Sequence, residues 1–241
     1  MNRAYHKWFS NALQKDMELL AFGDRGTRVI FFPTRKARFY DYENWGIIDT
    51  LKPKIESGQL HVYCVDSVDA ESFYSHSISP EERISRHLQY EKYILDEVLP
   101  FSKQQNRTTF PMVAGCSLGA YHAVNIAFRH PKIFSKVVGM SGRYDLTKTI
   151  GTFRDLFDGY MDGEIFANMP NLYVPQLGKK EINALRKLKI TIAIGQEDSF
   201  LDDNRLLIHS LSMKGIPHEF YIWDGEAHNQ EQWKQMLQLY L

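Results

Sequence analysis

Phe110-Pro111-Met112-Val113-Ala114-Gly115-Cys116-Ser117-Leu118-Gly119 is a short apolar run that ends in a Gly-x-Ser-x-Gly pattern. A helix-like stretch, Ala120 to His130, follows at once. A strand, a sharp turn and a helix in immediate succession are the context that holds a nucleophilic serine above a sheet. So tight a turn leaves no room for side chains at Gly115 and Gly119. Ser117 is therefore expected in a strained backbone conformation with Oγ exposed. The N–H of Leu118 is expected to open the helix and face a developing oxyanion.

Working outward, strands and helices alternate through most of the 241 residues. His6–Ser10 and Met17–Phe22 read as two strands joined by the polar turn Asn11–Asp16, an antiparallel start. Val29–Pro33 is a compact apolar strand, and Thr34–Asn44 a long loop rich in aromatics and charges. Trp45–Glu56 reads as a helix limited by Pro53, with Gly58 at its end. His61–Asp66 is the next strand. Ser79-Pro80-Glu81-Glu82 is a capping box with proline at the first helical position. The helix it starts carries Ile84, Leu88, Leu95 and Val98, and Pro100 marks its expected end. After the elbow, His130-Pro131 breaks the helix. Lys136–Met140, Leu188–Ile194 and His218–Trp223 read as strands. Asp202–Lys214 and the C-terminal stretch with Trp233, Met236, Leu237 and Tyr240 read as helices.

Such repeats predict an α/β fold: a mostly parallel central sheet with helices on both faces and an antiparallel N-terminal start. One domain, 1–241, is the economical reading. Thr147–Lys180 fits neither period and reads as an insertion, a lid-like excursion over the site.

Composition narrows the function. Lys+Arg and Asp+Glu are both 29, so no basic excess argues for nucleic acid. The apolar runs are too short to span a bilayer, and Met1–Trp8 carries no apolar signal region. Cys64 and Cys116 are the two cysteines, one in a strand and one in the elbow, so a disulfide is not expected and a reducing cytoplasm is. No histidine or cysteine spacing matches a compact metal motif, so the expectation is neither metal nor cofactor. Nothing indicates an oligomer.

A serine hydroxyl needs a base within hydrogen-bond reach, and the base needs an orienting partner. Elbow-bearing hydrolases run in the order serine, acid, histidine. His122 and His130 travel with the helix that Ser117 starts. His209 falls inside a helix, where exposure is expected. His218 opens a strand at the edge opposite the elbow. His228 follows the last strand through the loop Asp224–Ala227, which is where the base belongs. The acid is expected after Leu188–Ile194. Asp198 ranks first, then Asp202, then Asp145. Asp202 and Asp203 read as helix-start charges. A second oxyanion donor is expected after Val29–Pro33, from the N–H of Thr34 or Arg35. Phe39, Tyr40 and Trp45, with Tyr42 and the stretch Phe153–Tyr173, are candidates to line a substrate pocket or to pack loops onto the domain. Arg35, Lys36 and Arg38 form a basic loop, either solvated or facing an anionic substrate group.

The chain resembles the bacterial esterases of the α/β-hydrolase superfamily related to esterase D (S-formylglutathione hydrolase) and to the mycolyltransferase antigens. The resemblance runs nearly end to end. Its anchors are Tyr5-His6-Lys7-Trp8, Asp16-Met17-Glu18, Phe32-Pro33-Thr34, Arg38-Phe39-Tyr40-Asp41-Tyr42-Glu43 and the elbow through Ala123. Further anchors are Phe157-Asp158-Gly159-Tyr160, Gly195 through Leu201, and Gly225-Glu226-Ala227-His228. The resemblance implies an α/β-hydrolase fold, a triad at Ser117, Asp198 and His228, and cofactor-free hydrolysis of small carboxylic esters. Arg35-Lys36-Ala37 and Asn229–Gln232 depart from the family pattern. An acyltransferase using the same acyl-enzyme and a silent binding protein on the same fold are the alternatives.

Overall fold

The structure, a computed structural model, describes residues 1–108 and 110–241. Its chain order starts with strands β1 (Arg3–Ser10), β2 (Lys15–Phe22) and β3 (Thr27–Phe32). Helices α1 (Asp41–Asn44) and α2 (Ile47–Glu56) lead to β4 (Leu60–Val65). Then come α3 (Pro80–Tyr93), a π-helical turn at Ile94–Val98, α4 (Leu99–Gln105), β5 (Met112–Cys116) and α5 (Leu118–Arg129). After β6 (Lys136–Met140), three short helices follow: α6 (Gly163–Ala167), α7 (Pro170–Tyr173) and α8 (Lys179–Leu185). The chain closes with β7 (Lys189–Gly195), α9 (Leu201–Met213), β8 (Glu219–Trp223) and α10 (Gln230–Tyr240).

The eight strands form one sheet in the order β1-β2-β4-β3-β5-β6-β7-β8. β1 pairs antiparallel with β2, and β2 antiparallel with β4; every other pairing is parallel. Strand residues alternate between two cores. Ile30, Phe32, Val113 and Val137 pack on one face with residues of α5 and α9. Val29, Phe31, Ala114 and Val138 pack on the other with α2 and α10. From β3 the chain goes to β4 on one side, then returns to β5 on the other. Such a reversal opens a crevice at the strands' carboxyl ends, where ligands bind in open α/β sheets.

One helix ends as read and another needs correction. α2 runs from Ile47 to Glu56, with Pro53 inside it. Pro100 does not end its helix, which resumes as α4 and continues to Gln105. The π-helical turn just before it explains this. That turn resets the hydrogen-bond ladder, and Pro100 falls within the first turn of α4, where a missing N–H has no bond to lose. The capping box forms as expected: Ser79 Oγ accepts from Glu82 N–H at 3.2 Å, and Glu82 Oε2 accepts from Ser79 N–H at 2.7 Å.

The 147–180 stretch is more ordered than its pattern suggests. Asp162 caps α6 by accepting from Ile165 N–H at 2.7 Å, and prolines open α7 and the short 3₁₀ turn after it. Leu156, Phe157, Ile165 and Met169 join Leu118, Tyr121 and Phe73 in a separate buried cluster. This excursion therefore rests on the start of α5.

Candidate active site

Ser117 sits between β5 and α5 with φ 55° and ψ −121°, a region non-glycine residues rarely occupy. The flanking glycines make the turn possible. A Cβ on Gly115 would lie 2.2 Å from the Gly119 carbonyl, and one on Gly119 would lie 2.3 Å from the Phe32 carbonyl oxygen. Close approach, rather than an unusual φ, is what requires glycine at both positions. The elbow is thus wedged against the end of β3. Tyr42 fastens the two together: its hydroxyl donates to Phe32 O at 2.8 Å and accepts from Cys116 N–H at 3.1 Å. Its ring stacks on Phe31 with centroids 3.9 Å apart.

Three distant side chains meet at this rim. Ser117 Oγ is 3.0 Å from His228 Nε2, and His228 Nδ1 is 2.8 Å from Asp198 Oδ2. A carboxylate only accepts, so Nδ1 carries the proton and Nε2 is left to accept from the serine hydroxyl. Asp198 is buried, and its Oδ1 accepts from Phe200 N–H at 2.9 Å. That second bond fixes the carboxylate plane. The loops carrying acid and base are also pinned to each other. Gln196 N–H donates to Trp223 O and Glu197 N–H to Gly225 O, at 2.8 and 2.9 Å. Gly195 packs so closely that a Cβ there would lie 2.0 Å from the Glu226 carbonyl oxygen.

The remaining acids are engaged elsewhere. Asp202 is exposed at the start of α9 and pairs with Arg205 at 3.2 Å. Asp145 is buried, accepts from Thr147 and lies 3.2 Å from Lys148 Nζ. Asp203 lies in the first turn of α9, as its reading as a helix-start charge has it, and is buried. It accepts from Tyr144 N–H and from Asn171 Nδ2, and burial pushes its carboxyl up to about 6. Among the other histidines, His122 is buried against Asp69 at 3.0 Å, and His130 pairs with Glu91 at 3.0 Å. His209 is exposed, and His218 lies just before β8, at the sheet's opposite edge.

A cleft of about 270 Å³ opens over the serine. Thr34, Arg35 and Leu118 border it, and among the described residues their N–H groups donate to no acceptor in the chain. Tyr74, Leu146, Phe153, Phe200 and Trp233 supply apolar wall. Among the expected aromatics, Phe153 lines the cleft, and Trp45 borders a shallow depression beside His228. Phe39 and Tyr40 lie outside both. Phe39 is buried on the α2 side of the sheet and Tyr40 packs edge-on against it at 5.0 Å, because Tyr42 draws this segment down onto β3. Arg38 is engaged by Asp66 and Glu18, both at 2.8 Å.

Three contributors carried no sequence signal of a place at the site. Arg143 borders the cleft from the loop after β6. Ser141, with φ 53°, donates to Ala227 O at 3.3 Å and accepts from Trp233 Nε1 at 3.1 Å. Trp233 in turn lies edge-on to the His228 ring, centroids 5.4 Å apart. Ser141 and Trp233 thus hold the histidine loop from beneath. Ser141 reaches Ala227 and Trp233 across 86 and 92 residues, beyond the reach of local patterns. Arg143 bonds only to carbonyls within 11 residues of it, and its place at the cleft comes from the fold. No group of three or more metal-ligating side chains occurs among the described residues. No described helix is long and apolar enough to cross a membrane.

Comparison with known proteins gives one family and a consistent fold. The model of a family described as "Putative esterase" matches residues 41–238. A curated relative, an acetyl esterase of Caldicellulosiruptor saccharolyticus, is 24% identical over 167 residues, which is 59% of this chain and 62% of that protein. The chain thus spans less than two thirds of that relative. A ferulic acid esterase superposes with a TM-score of 0.80 at 18% identity, covering 100% of this chain and 96% of that one. An S-formylglutathione hydrolase from Agrobacterium tumefaciens gives 0.78 at 15% identity, covering 99% and 92%. At these identities the likeness to solved structures is one of fold, that of α/β-hydrolases.

Proposed function

The chain belongs to this esterase family, and from that premise we propose that it is a serine hydrolase that cleaves small carboxylic esters through an acyl-enzyme. The observation that carries the reading is the unbroken hydrogen-bonded succession from Ser117 through His228 to Asp198. As Ser117 Oγ attacks the ester carbonyl, His228 Nε2 takes its proton. Asp198 holds the ring in the tautomer that can do so, and its charge stabilises the imidazolium that forms. The N–H of Leu118 and that of Thr34 or Arg35 receive the oxyanion. His228 then returns the proton to the leaving alkoxide as the C–O bond breaks. Water, deprotonated by the same nitrogen, attacks the acyl-serine and releases the acid.

The elbow's backbone strain supports the same reading, since strain is retained where a site requires it. Residues 147–180 act within the single domain as a roof over the cleft, with Phe153 forming part of its wall. We place the protein in the cytoplasm, where two buried free thiols would stay reduced. The expected substrate has a short to medium acyl chain. The test is turnover of 4-nitrophenyl acetate by wild type and Ser117→Ala. Loss of at least about 10³-fold in kcat supports the reading. A Ser117→Ala protein that turns over like wild type overturns it.

A further inference from the structure

We propose that Arg143 and Arg35 form an anion-recognising subsite beside the serine, so that the preferred esters carry a second, negatively charged group such as a carboxylate. This deepens the hydrolase reading and rests on it. The observation behind it is a buried cation that, among the described residues, has no carboxylate within ion-pair distance. Arg143 is 4% exposed. Its Nε donates to Asp145 O at 3.2 Å, and its Nη2 donates to the carbonyls of Leu146, Lys148 and Arg154. All of these acceptors are neutral. Among the described residues no carboxylate oxygen lies within ion-pair distance of the guanidinium, and Nη1 donates to no protein acceptor. The acids around it are engaged: Asp145 by Thr147 and Lys148, Asp155 by the N–H groups of Phe157 and Gly159, Asp203 by Tyr144 and Asn171. A buried charge is costly unless paired. Here its free edge borders open space.

A second guanidinium faces the same space. Arg35 lies over the Tyr74 and Phe153 rings, at 5.8 and 5.9 Å, and forms no ion pair among the described residues. Arg35 and Arg143 both border the serine cleft and an adjoining cavity of about 270 Å³. In that second cavity the Asp158 carboxylate is bound to Arg83 at 2.7 Å. Two like charges converging on one cleft repel, and a bound carboxylate would satisfy both through charge-assisted hydrogen bonds. The low-dielectric aromatic wall between them strengthens that attraction. A neutral ester supplies neither cation with an anionic partner.

The experiment compares three esters: neutral 4-nitrophenyl butyrate, mono-4-nitrophenyl glutarate with the charge on the acyl side, and 3-carboxy-4-nitrophenyl butyrate with it on the leaving group. Each rate is normalised to hydroxide hydrolysis. We expect one charged ester to exceed the neutral one about tenfold in kcat/KM at low salt, and the ester that does so tells which side enters the subsite. In Arg143→Gln and Arg35→Gln that ratio should fall at least about fivefold, whatever happens to the neutral rate. Charged esters no better than the neutral one, or a ratio unmoved in the variants, would overturn the proposal. Should Arg143→Gln fail to fold, Arg35→Gln decides. Calorimetry of Ser117→Ala with monomethyl and dimethyl glutarate separates binding from chemistry. Tighter binding of the monoanion upholds the subsite even where no ester is turned over, and equal binding of the two refutes it.

Discussion

Replacing Asp198 by Asn tests the site at its least exposed member. The carboxylate makes two bonds, Oδ1 with Phe200 N–H at 2.9 Å and Oδ2 with His228 Nδ1 at 2.8 Å. Asparagine can keep only one of these as an acceptor. Phe200 N–H is a fixed donor, so it claims the amide oxygen and leaves the NH₂ group facing His228. Nδ1 must then accept, which moves the ring proton to Nε2. That nitrogen can no longer take the proton of Ser117. The charge is lost as well. With charge centres about 4 Å apart and an effective dielectric of about 20, the carboxylate–imidazolium attraction is about 4 kcal/mol. That alone is a factor of about 10³ in rate. With the inverted tautomer, kcat for 4-nitrophenyl acetate should fall about 10⁴-fold, as the same exchange does in serine-protease triads. KM should stay within about threefold, since Asp198 does not line the cleft. Asp202→Asn, at an exposed carboxylate, should remain within about twofold of wild type. An Asp198→Asn protein retaining a tenth of wild-type kcat would refute the reasoning.

Further outcomes follow from the same geometry. Gly195→Ala puts a methyl 2.0 Å from the Glu226 carbonyl oxygen, forcing the acid and base loops apart. Its kcat should drop about 10²-fold with a stability loss of only about 2 kcal/mol in urea, and an unchanged kcat would contradict the predicted displacement. Tyr42→Phe strips both buried hydrogen bonds that join β3 to the elbow. About 2 kcal/mol should be lost in chemical denaturation, and a variant as stable as wild type would show those bonds to be without consequence. Burial alone would push Glu91 up, but the hydrogen bond with His130 and the Arg129 guanidinium outweigh it and hold the carboxyl at about 2, below its ordinary 4.5. A depressed carboxyl contributes stability above its unfolded value and loses it as pH falls through the folded one. The stability gap between wild type and Glu91→Gln should therefore be roughly 3 kcal/mol at pH 6 and close between pH 4.5 and 2. A gap that does not narrow would argue against the ion pair.

What the sequence disclosed, and what it concealed, divides by range. The elbow is legible because its causes are local: Gly115 and Gly119 stand within two residues of Ser117, and strand and helix adjoin them. The order of strands brought His228 and Asp198 forward as candidates because each follows a strand's carboxyl end. Pro100 misled because a proline normally stops a helix, and nothing in the local pattern announces the π-helical turn that accommodates it. The stretch 147–180 concealed its helices because each spans at most seven residues, too few to establish a period. In sequence Tyr42 is one member of an aromatic cluster with Phe39 and Tyr40. Only the sheet shows that its hydroxyl bridges β3 and β5 while Phe39 sinks into the core. Ser141 gives no signal and Trp233 only that of a helical stripe, since the bond between them spans 92 residues. Arg143 gives none because its bonds go to carbonyls of its own loop, and only the fold brings that loop to the cleft.

The most direct measurement is intact-mass analysis after treatment with a fluorophosphonate, which reacts fast with a serine whose proton is being withdrawn. One adduct per chain, mapping to the peptide that contains Ser117 and lost in Ser117→Ala and His228→Ala, is the predicted result. A wild-type protein that stays unmodified at excess reagent, or that is modified equally without His228, would contradict an activated nucleophile at this rim.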